Sequence, residues 1–264
     1  MAQLHPLMEK FGRVSAYLVD DGDGLTLVDA LGKDDGRTIF NALERLGRRP
    51  AELRRIVLTH GHPTHVKGAY VLKRSSGARV FAPIEEQDIL EGKRPSNHTT
   101  WIPRRPWQVL PQQYLLNLQH SLWQIGVKPR IINVPPVIVD EPFEQDDHKI
   151  GPLVVIRTPG HSPGSTSFYW PETATLFAGD ALVTWPRFEM GWQGLTEDYT
   201  QNVKSIGRLV GIFEQRGWTI RSFCTGHGPL LPTQDGIADL KRLLGNEKKA
   251  TGLALSPANA PPTR

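Results

Sequence analysis

The stretch Thr59-His60-Gly61-His62-Pro63-Thr64-His65 directly follows the apolar run Arg55-Ile56-Val57-Leu58. Such a run predicts a buried strand, and His60 and His62 leave its end on alternate positions that point to the same side. The proline that comes next fits the first turn of a helix, which turns His65 back toward the other two rings. Neutral imidazole is a common ligand of Zn²⁺ and is also used by iron and manganese, so this spacing predicts part of a metal site.

Three later stretches have the same form, an apolar run that stops at a potential ligand beside glycine. They are Val154-Val155-Ile156-Arg157-Thr158-Pro159-Gly160-His161, Leu176-Phe177-Ala178-Gly179-Asp180 and Phe223-Cys224-Thr225-Gly226-His227-Gly228. Two or three histidines rarely make a complete metal site. We therefore expect these three strand ends to supply the remaining ligands.

With these four stretches the chain resembles the metallo-β-lactamase superfamily, which includes lactonases, glyoxalase II enzymes and β-lactamases. The family pattern is His-x-His-x-Asp-His, followed by a His, an Asp and a His at successive strand ends. The resemblance implies an α/β fold, a four-layer αββα sandwich of two mixed sheets with the ligands along one edge. It also implies two metal sites that share Asp180, the first formed by His60, His62 and His161 and the second by His65, Asp180 and His227.

The chain departs from the family pattern at Thr64, which stands where the family has the aspartate. A threonine hydroxyl is neutral and is a poor metal ligand at neutral pH. We therefore expect one firmly bound Zn²⁺ and a second, weaker one, with iron or manganese as alternative metals. In the resembling enzymes this acid also orients the attacking water, so Thr64 and Asp180 are the expected catalytic positions, and hydrolysis should be slow or restricted to reactive substrates.

The predicted chemistry is hydrolysis by a metal-activated water. Three neutral imidazoles leave a first-site metal with its full charge and an open position for water, whose pKa falls from ~15.7 toward ~7. By resemblance, the substrate bond is ester-like, as in a lactone, thioester, ester or β-lactam. Two alternatives stay open: an inactive member that only binds metal and ligand, and a mononuclear iron dioxygenase acting on thiols or persulfides.

The composition of the 264 residues, 39% hydrophobic and 22% charged, is ordinary for a soluble globular protein. The net charge of +4 lies in short basic groups without interleaved aromatic residues, so nucleic acid is not an expected partner. No apolar run approaches the ~20 residues of a membrane span, and no signal segment is present, so a cytoplasmic location without membrane contact is expected. The single cysteine, Cys224, excludes an intramolecular disulfide and should be buried in a strand.

We expect one domain over residues 1–247 and a mobile tail over residues 248–264. Residues 93–143 contain several prolines and tryptophans, which favours an insertion built on the scaffold. Within it, residues 111–127 have a helical apolar stripe and no Asp, Glu, Lys or Arg. A surface helix normally carries charge, so we expect this helix to be covered on more than one side. It would pack as part of the core, form a lid over the metal cleft, or make a homodimer contact.

An aromatic loop follows Asp180 in the sequence. Its residues Trp185, Phe188 and Trp192 either fix the loop onto the core or line an apolar pocket for a small acyl or lactone-type substrate. The stretch Gly160-His161-Ser162-Pro163-Gly164-Ser165 lacks the Gly-x-Ser-x-Gly elbow, which argues against a serine nucleophile.

The sequence makes specific predictions for two helices. One runs over residues 63–75 with Tyr70 on its inward face, and the other is capped by Thr196.

Overall fold

The computed structural model describes residues 2–9, 13–94 and 134–251. Within these residues the strands form two six-stranded sheets and a two-stranded ribbon. The first sheet consists, in spatial order, of β1 (Gln3–Met8), β2 (Ser15–Asp20), β3 (Leu25–Val28), β4 (Leu53–Val57), β5 (Arg79–Pro83) and β6 (Glu141–Phe143). The second consists of β7 (Lys149–Ile150), β8 (Leu153–Arg157), β9 (Thr166–Trp170), β10 (Thr175–Gly179), β13 (Ser222–Thr225) and β14 (Leu231–Pro232). The ribbon pairs β11 (Leu182–Val183) with β12 (Glu189–Met190).

The described residues also form six α-helices and several short 3₁₀ turns. The helices are α1 (Arg37–Arg45), α2 (Pro63–Val66), α3 (Ala69–Ser76), α4 (Gln87–Leu90), α5 (Tyr199–Arg216) and α6 (Gly236–Thr251). Both six-stranded sheets contain parallel and antiparallel neighbours, because β3 to β6 are parallel and so are β10 and β13, whereas the other pairs are antiparallel. The predicted mixed sheets are therefore confirmed.

The buried residues of the core between the sheets all belong to strands. Tyr17 and Val19 of β2 lie in one buried cluster with Phe168 and Trp170 of β9 and with Cys224 of β13. Because successive side chains of a strand alternate between its faces, Ala16 and Leu18 belong to a different cluster on the outer face of the first sheet. Every residue of β2 is buried, as expected for a strand that is covered on both faces.

Helices cover the outer face of each sheet. Ile39 of α1 and Leu72 of α3 pack on the first sheet, and Ile206 of α5 and Leu240 of α6 pack on the second. The order of layers is thus helices, sheet, sheet, helices. This arrangement confirms the predicted four-layer αββα sandwich.

The parallel strands gather the ligand loops at one edge of the sandwich. The carboxyl ends of parallel neighbours meet at the same edge of a sheet. The loops after β3, β4 and β5 are therefore neighbours, and so are the loops after β10 and β13. At this edge the two sheets are joined directly, because the backbone N–H of Thr166 donates to the carbonyl of Thr59 (3.0 Å).

Two helix predictions were wrong in detail. The helix expected over residues 63–75 is divided into α2 and α3 at Gly68, which lies so close to the loop after β3 that a Cβ would be 2.3 Å from the carbonyl oxygen of Ala30. Tyr70, expected on the inward face, is 37% exposed. The N-cap of α5 is Asp198, whose side chain accepts a hydrogen bond from Gln201 N, and Thr196 does not cap the helix.

Two elements near the ends of the described residues add to what the sequence predicted. The edge strand β1, which pairs antiparallel with β2, was not predicted because Gln3–Met8 contains a proline and shows no clear alternation. Helix α6 continues to Thr251, into the segment predicted as a mobile tail. The predicted helix over residues 111–127, with its dimer contact, lies outside the described residues. No helix in the described ranges is long and apolar enough to cross a membrane.

Candidate metal centre

The structure brings together all six of the predicted metal ligands at the edge where the strands end. His60, His62 and His65 come from the loop after β4 and the start of α2, and the others follow β8, β10 and β13. Each side chain is buried, with exposed fractions of 7% or less, in the set His60, His62, His65, His161, Asp180 and His227. Residues far apart in the sequence thus converge on one small volume.

Asp180 lies at the centre of this cluster. Its Oδ2 atom is 3.3 Å from Nε2 of His227, 3.4 Å from that of His161 and 3.5 Å from that of His65. The Nε2 atom of His60 is slightly more distant, at 3.9 Å. One carboxylate oxygen therefore approaches four imidazole rings.

The ligand atoms form two overlapping groups whose members all lie within 4.8 Å of one another. The groups are His60, His62 and His161, and His60, His65 and Asp180. Two ligands at 2.0–2.1 Å from a tetrahedral Zn²⁺ are about 3.4 Å apart, which is close to the separations around Asp180. His227 joins the cluster through the same carboxylate. The first group matches the predicted first site, and the second shares His60 with it.

The donor set fits a divalent cation. Buried polar atoms normally have hydrogen-bond partners, yet His60 Nε2 and Asp180 Oδ1 are buried and make no hydrogen bond in the described part of the chain. Imidazole and carboxylate suit zinc, iron and manganese alike. Thr64 precedes His65 in α2 and is half-buried. Its hydroxyl is neutral, so it contributes no negative charge to this set.

Gly226 has no side chain, and the ligand side chains occupy the space where its Cβ atom would lie. A Cβ atom on this residue would lie 1.9 Å from Oδ1 of Asp180 and 2.8 Å from Cε1 of His65. Both contacts are shorter than van der Waals separation, so any larger residue would displace the carboxylate. The glycine before His227 is therefore a geometric requirement of the cluster.

Burial and the neighbouring charges together set the protonation states of the cluster. Although burial alone raises the pKa of Asp180, the neighbouring histidines hold it well below its usual value. Burial lowers the pKa of His161 to about 4 and that of His60 well below its usual value, so both rings are neutral and able to bind a metal. Burial opposes charge on His65 too, but Asp180 and Asp29 raise its pKa to about 10, and a cation there must displace a proton.

Two residues that sequence reasoning did not single out support the ligands. Asp29, directly after β3, accepts hydrogen bonds from Thr59 N (2.9 Å) and Thr59 Oγ1 (2.9 Å) and lies 3.6 Å from His65 Nδ1. The same hydroxyl of Thr59 is 2.9 Å from His60 Nδ1. Asp29 therefore orients the His60 ring through Thr59 and places a carboxylate beside the His65 ring. A signal was present, because Leu25-Thr26-Leu27-Val28-Asp29 is also an apolar run that ends at a potential ligand.

The three aromatic residues of the loop after Asp180 have different surroundings. Trp192 is buried and packs on His227, with ring centroids 4.7 Å apart. Trp185 packs on Trp192, with centroids 5.9 Å apart. Phe188 packs instead on Phe223 at 4.7 Å, beside the core under α5 and α6. Trp192 therefore contacts the ligand cluster directly and Trp185 contacts Trp192, whereas Phe188 fixes the loop to the core.

Sequence comparisons agree with the fold and with this cluster. The family model described as Metallo-beta-lactamase superfamily matches residues 10–228. The four layers and the cluster of imidazoles around one carboxylate define an αββα protein with a metal-binding edge. The chain belongs to the metallo-β-lactamase superfamily, a superfamily of metallo-hydrolases.

Individual relatives are distant. The uncharacterized protein YobT of Bacillus subtilis is 29% identical over 170 residues, which cover 64% of this chain and 62% of YobT. A hydroxyacylglutathione hydrolase of Bartonella tribocorum is 26% identical over 197 residues, which cover 72% of this chain and 56% of that protein. The matched region thus spans less than two thirds of the length of either relative.

Solved structures share the fold. The chain is similar to BLEG-1 B3 metallo-beta-lactamase with a TM-score of 0.60 and 20% identity, over 94% of this chain and 97% of that one. It is similar to TTHA1623 in a di-iron-bound form with a TM-score of 0.61 and 22% identity, over 90% and 98% of the two chains. At this level of identity the comparison establishes the fold alone.

Proposed function

We propose that the chain is a metal-dependent hydrolase that adds water across an ester-like bond of a small acyl, lactone or β-lactam substrate. The observation that carries the proposal is the approach of four Nε2 atoms to Asp180 Oδ2, at 3.3 to 3.9 Å. The hydroxyacylglutathione hydrolases of two Bartonella species among the relatives support a small acyl substrate over a nucleic acid.

The proposed ligands divide between two cations, with zinc as the preferred metal. His60, His62 and His161 hold the first, and His65, Asp180 and His227 hold the second. When bound, a divalent cation supplies Lewis-acid charge that lowers the pKa of a water toward ~7 and polarises a substrate carbonyl.

The chain's own residues orient the reactants. Asp180 Oδ1 is buried without a hydrogen bond in the described residues, so it is the acceptor that can hold a proton of the attacking water. Trp192 and Trp185 give the edge of the cluster an apolar wall, which excludes bulk water and accepts an apolar acyl group. Burial keeps the His60 and His161 rings neutral, so they would hold the cation without cancelling its positive charge.

Thr64 weakens the proposed second site. A carboxylate there would add one negative charge beside His65, whereas the hydroxyl adds none. We therefore propose one firmly bound metal per chain, a weaker second one and slow hydrolysis.

The test compares the parent protein with Thr64→Asp, and with Thr64→Asn as a control that matches aspartate in size but not in charge. Metal content is measured by elemental analysis, and turnover is measured on a lactone, a thioester and a β-lactam. We expect about one zinc per parent chain, in line with a three-histidine site, and higher metal content and rate in Thr64→Asp only. If Thr64→Asp gains neither, the role assigned to Thr64 is wrong.

Two other outcomes would replace the proposal itself. Metal content near or below one per chain, with no turnover of any substrate by either protein, would indicate a binding module. Preference for iron, together with oxygen uptake on a persulfide, would indicate a dioxygenase.

A further inference from the structure

A buried carboxylate outside the ligand cluster lies between the two loops that carry the first-site histidines. Glu86 is 0% exposed and ends the 3₁₀ turn Ile84–Glu86, which follows β5. Because β5 is the parallel neighbour of β4, this turn and the loop that begins at Thr59 leave the sheet at the same edge. Glu86 can therefore reach loops from both sheets.

Glu86 accepts hydrogen bonds from three donors. Its Oε2 atom accepts from Gly61 N (3.0 Å), which lies between the first two histidine ligands. Its Oε1 atom accepts from Ser162 Oγ (2.7 Å) and from Gly164 N (2.9 Å), just after His161. A carboxylate has about four lone-pair positions, so one side chain satisfies all three donors.

The two glycines in these loops leave room for Glu86. A Cβ on Gly61 would lie 2.7 Å from Oε2 of Glu86, and a Cβ on Gly164 would lie 2.6 Å from its Cγ. Both distances are too short for a real contact. Glycine at these two positions is therefore a consequence of where the carboxylate lies.

Ser162 follows His161 in the sequence, but its hydroxyl is held by hydrogen-bond partners of a structural kind and is not arranged as a nucleophile. Its hydroxyl donates to Glu86 and lies 3.0 Å from Ser165 Oγ. Its backbone N–H also donates to Ser165 Oγ (2.9 Å). The loop after His161 is thus cross-linked internally and attached to Glu86.

We infer that Glu86 is a positioning residue that holds the loop of His60 and His62 and the loop of His161 at the separation required by a first-site metal. This inference rests on the proposed function only in that a cation binds at these three histidines. It does not depend on which bond is hydrolysed. Glu86 acts through the two loops and not as a ligand, so its loss should change the geometry and affinity of the metal site.

The test uses the whole 264-residue chain and its variant Glu86→Gln, which keeps the size of the side chain but replaces one acceptor oxygen by an NH₂ group. That group must face an N–H or O–H donor, so at least one of the three hydrogen bonds is lost. Zn²⁺ affinity is measured by competition with a chelator. Co²⁺ is titrated separately, because its d–d absorption reports ligand geometry.

We expect the affinity for the first equivalent of Zn²⁺ to fall about 10–100-fold and the Co²⁺ spectrum to change. The matched control is Glu85→Gln, on the same turn, where Glu85 pairs with Arg157 (2.7 Å) and contacts neither histidine loop through a described hydrogen bond. The control should keep the parent's affinity and spectrum.

Equal Zn²⁺ affinity and an identical Co²⁺ spectrum in folded Glu86→Gln overturn the inference. If circular dichroism shows that this variant does not fold, Ser162→Ala decides, because it removes one donor and keeps the carboxylate: a lower affinity supports the inference and an unchanged affinity overturns it. A parent protein that binds no metal also overturns it. A parent that binds Zn²⁺ but hydrolyses none of the substrates refutes the proposed function alone, and the affinities of the variants still decide the role of Glu86.

Discussion

Replacing Asp29 by asparagine tests how strongly the residues behind the ligands control the metal site. Asp29 accepts two hydrogen bonds from Thr59 and lies 3.6 Å from His65 Nδ1. The amide keeps one acceptor oxygen but turns a donor toward Thr59 Oγ1 or His65. Losing one hydrogen bond to a charged acceptor costs about 1.5–3 kcal/mol, which corresponds to the ~10–100-fold loss of metal affinity typical for residues that orient ligands.

The assay is chelator competition for Zn²⁺ at neutral pH, performed on the parent, Asp29→Asn and the control Asp34→Asn. Asp34 is exposed in the same loop region, so its variant removes a similar charge without touching Thr59 or His65. We expect Asp29→Asn alone to bind more weakly. Equal affinity of all three proteins, with Asp29→Asn folded, would show that Asp29 does not orient the ligands.

Three further predictions concern stability. The pKa of Asp20 is lowered because Gly22 N (3.0 Å) and the Arg48 guanidinium outweigh its burial. Its stabilisation is thus fully present above the unfolded pKa of 3.8 and is lost as pH falls through the folded pKa. In urea unfolding, Asp20→Asn should lose about 1 kcal/mol at neutral pH and converge with the parent in acid; a constant difference would contradict this. Phe168 is fully buried between the sheets, so Phe168→Ala should lower the free energy of unfolding by about 3–5 kcal/mol. A decrease below about 1 kcal/mol would be inconsistent with that core. Removing metal with a chelator should lower Tm by on the order of 10 °C, and an unchanged Tm would argue against a bound cation.

The ligand residues could be predicted because the stretches that carry them each follow an apolar run. An apolar run predicts a strand from neighbouring residues alone, and a histidine or aspartate beside glycine at its end is visible in the same stretch. The convergence of four such ends depends on which strands are parallel neighbours, and the family resemblance supplied that pairing. His161 and Asp180 could thus be placed beside His60 without any coordinates.

The supporting residues could not be predicted in the same way. Asp29 ends an apolar run that is visible in the sequence, but its contacts with Thr59 and His65, like the contacts of Glu86, depend on β3 and β5 flanking β4 in parallel. No local pattern states that order. Gly68 divides a helix because of its contact with a distant carbonyl, and the periodicity around it gives no sign of that contact. The different surroundings of Phe188 and Trp192 likewise depend on how the loop folds back onto the core.

The most direct test of the account is an anomalous difference map from crystals of the parent protein grown with Zn²⁺, recorded on both sides of the zinc absorption edge. The account predicts a peak at about 2.0–2.1 Å from a ring nitrogen of each of His60, His62 and His161, with a weaker peak between His65 and His227. A map with no zinc peak at the three histidines, or with the His161 ring turned away from His60 and His62, would contradict it.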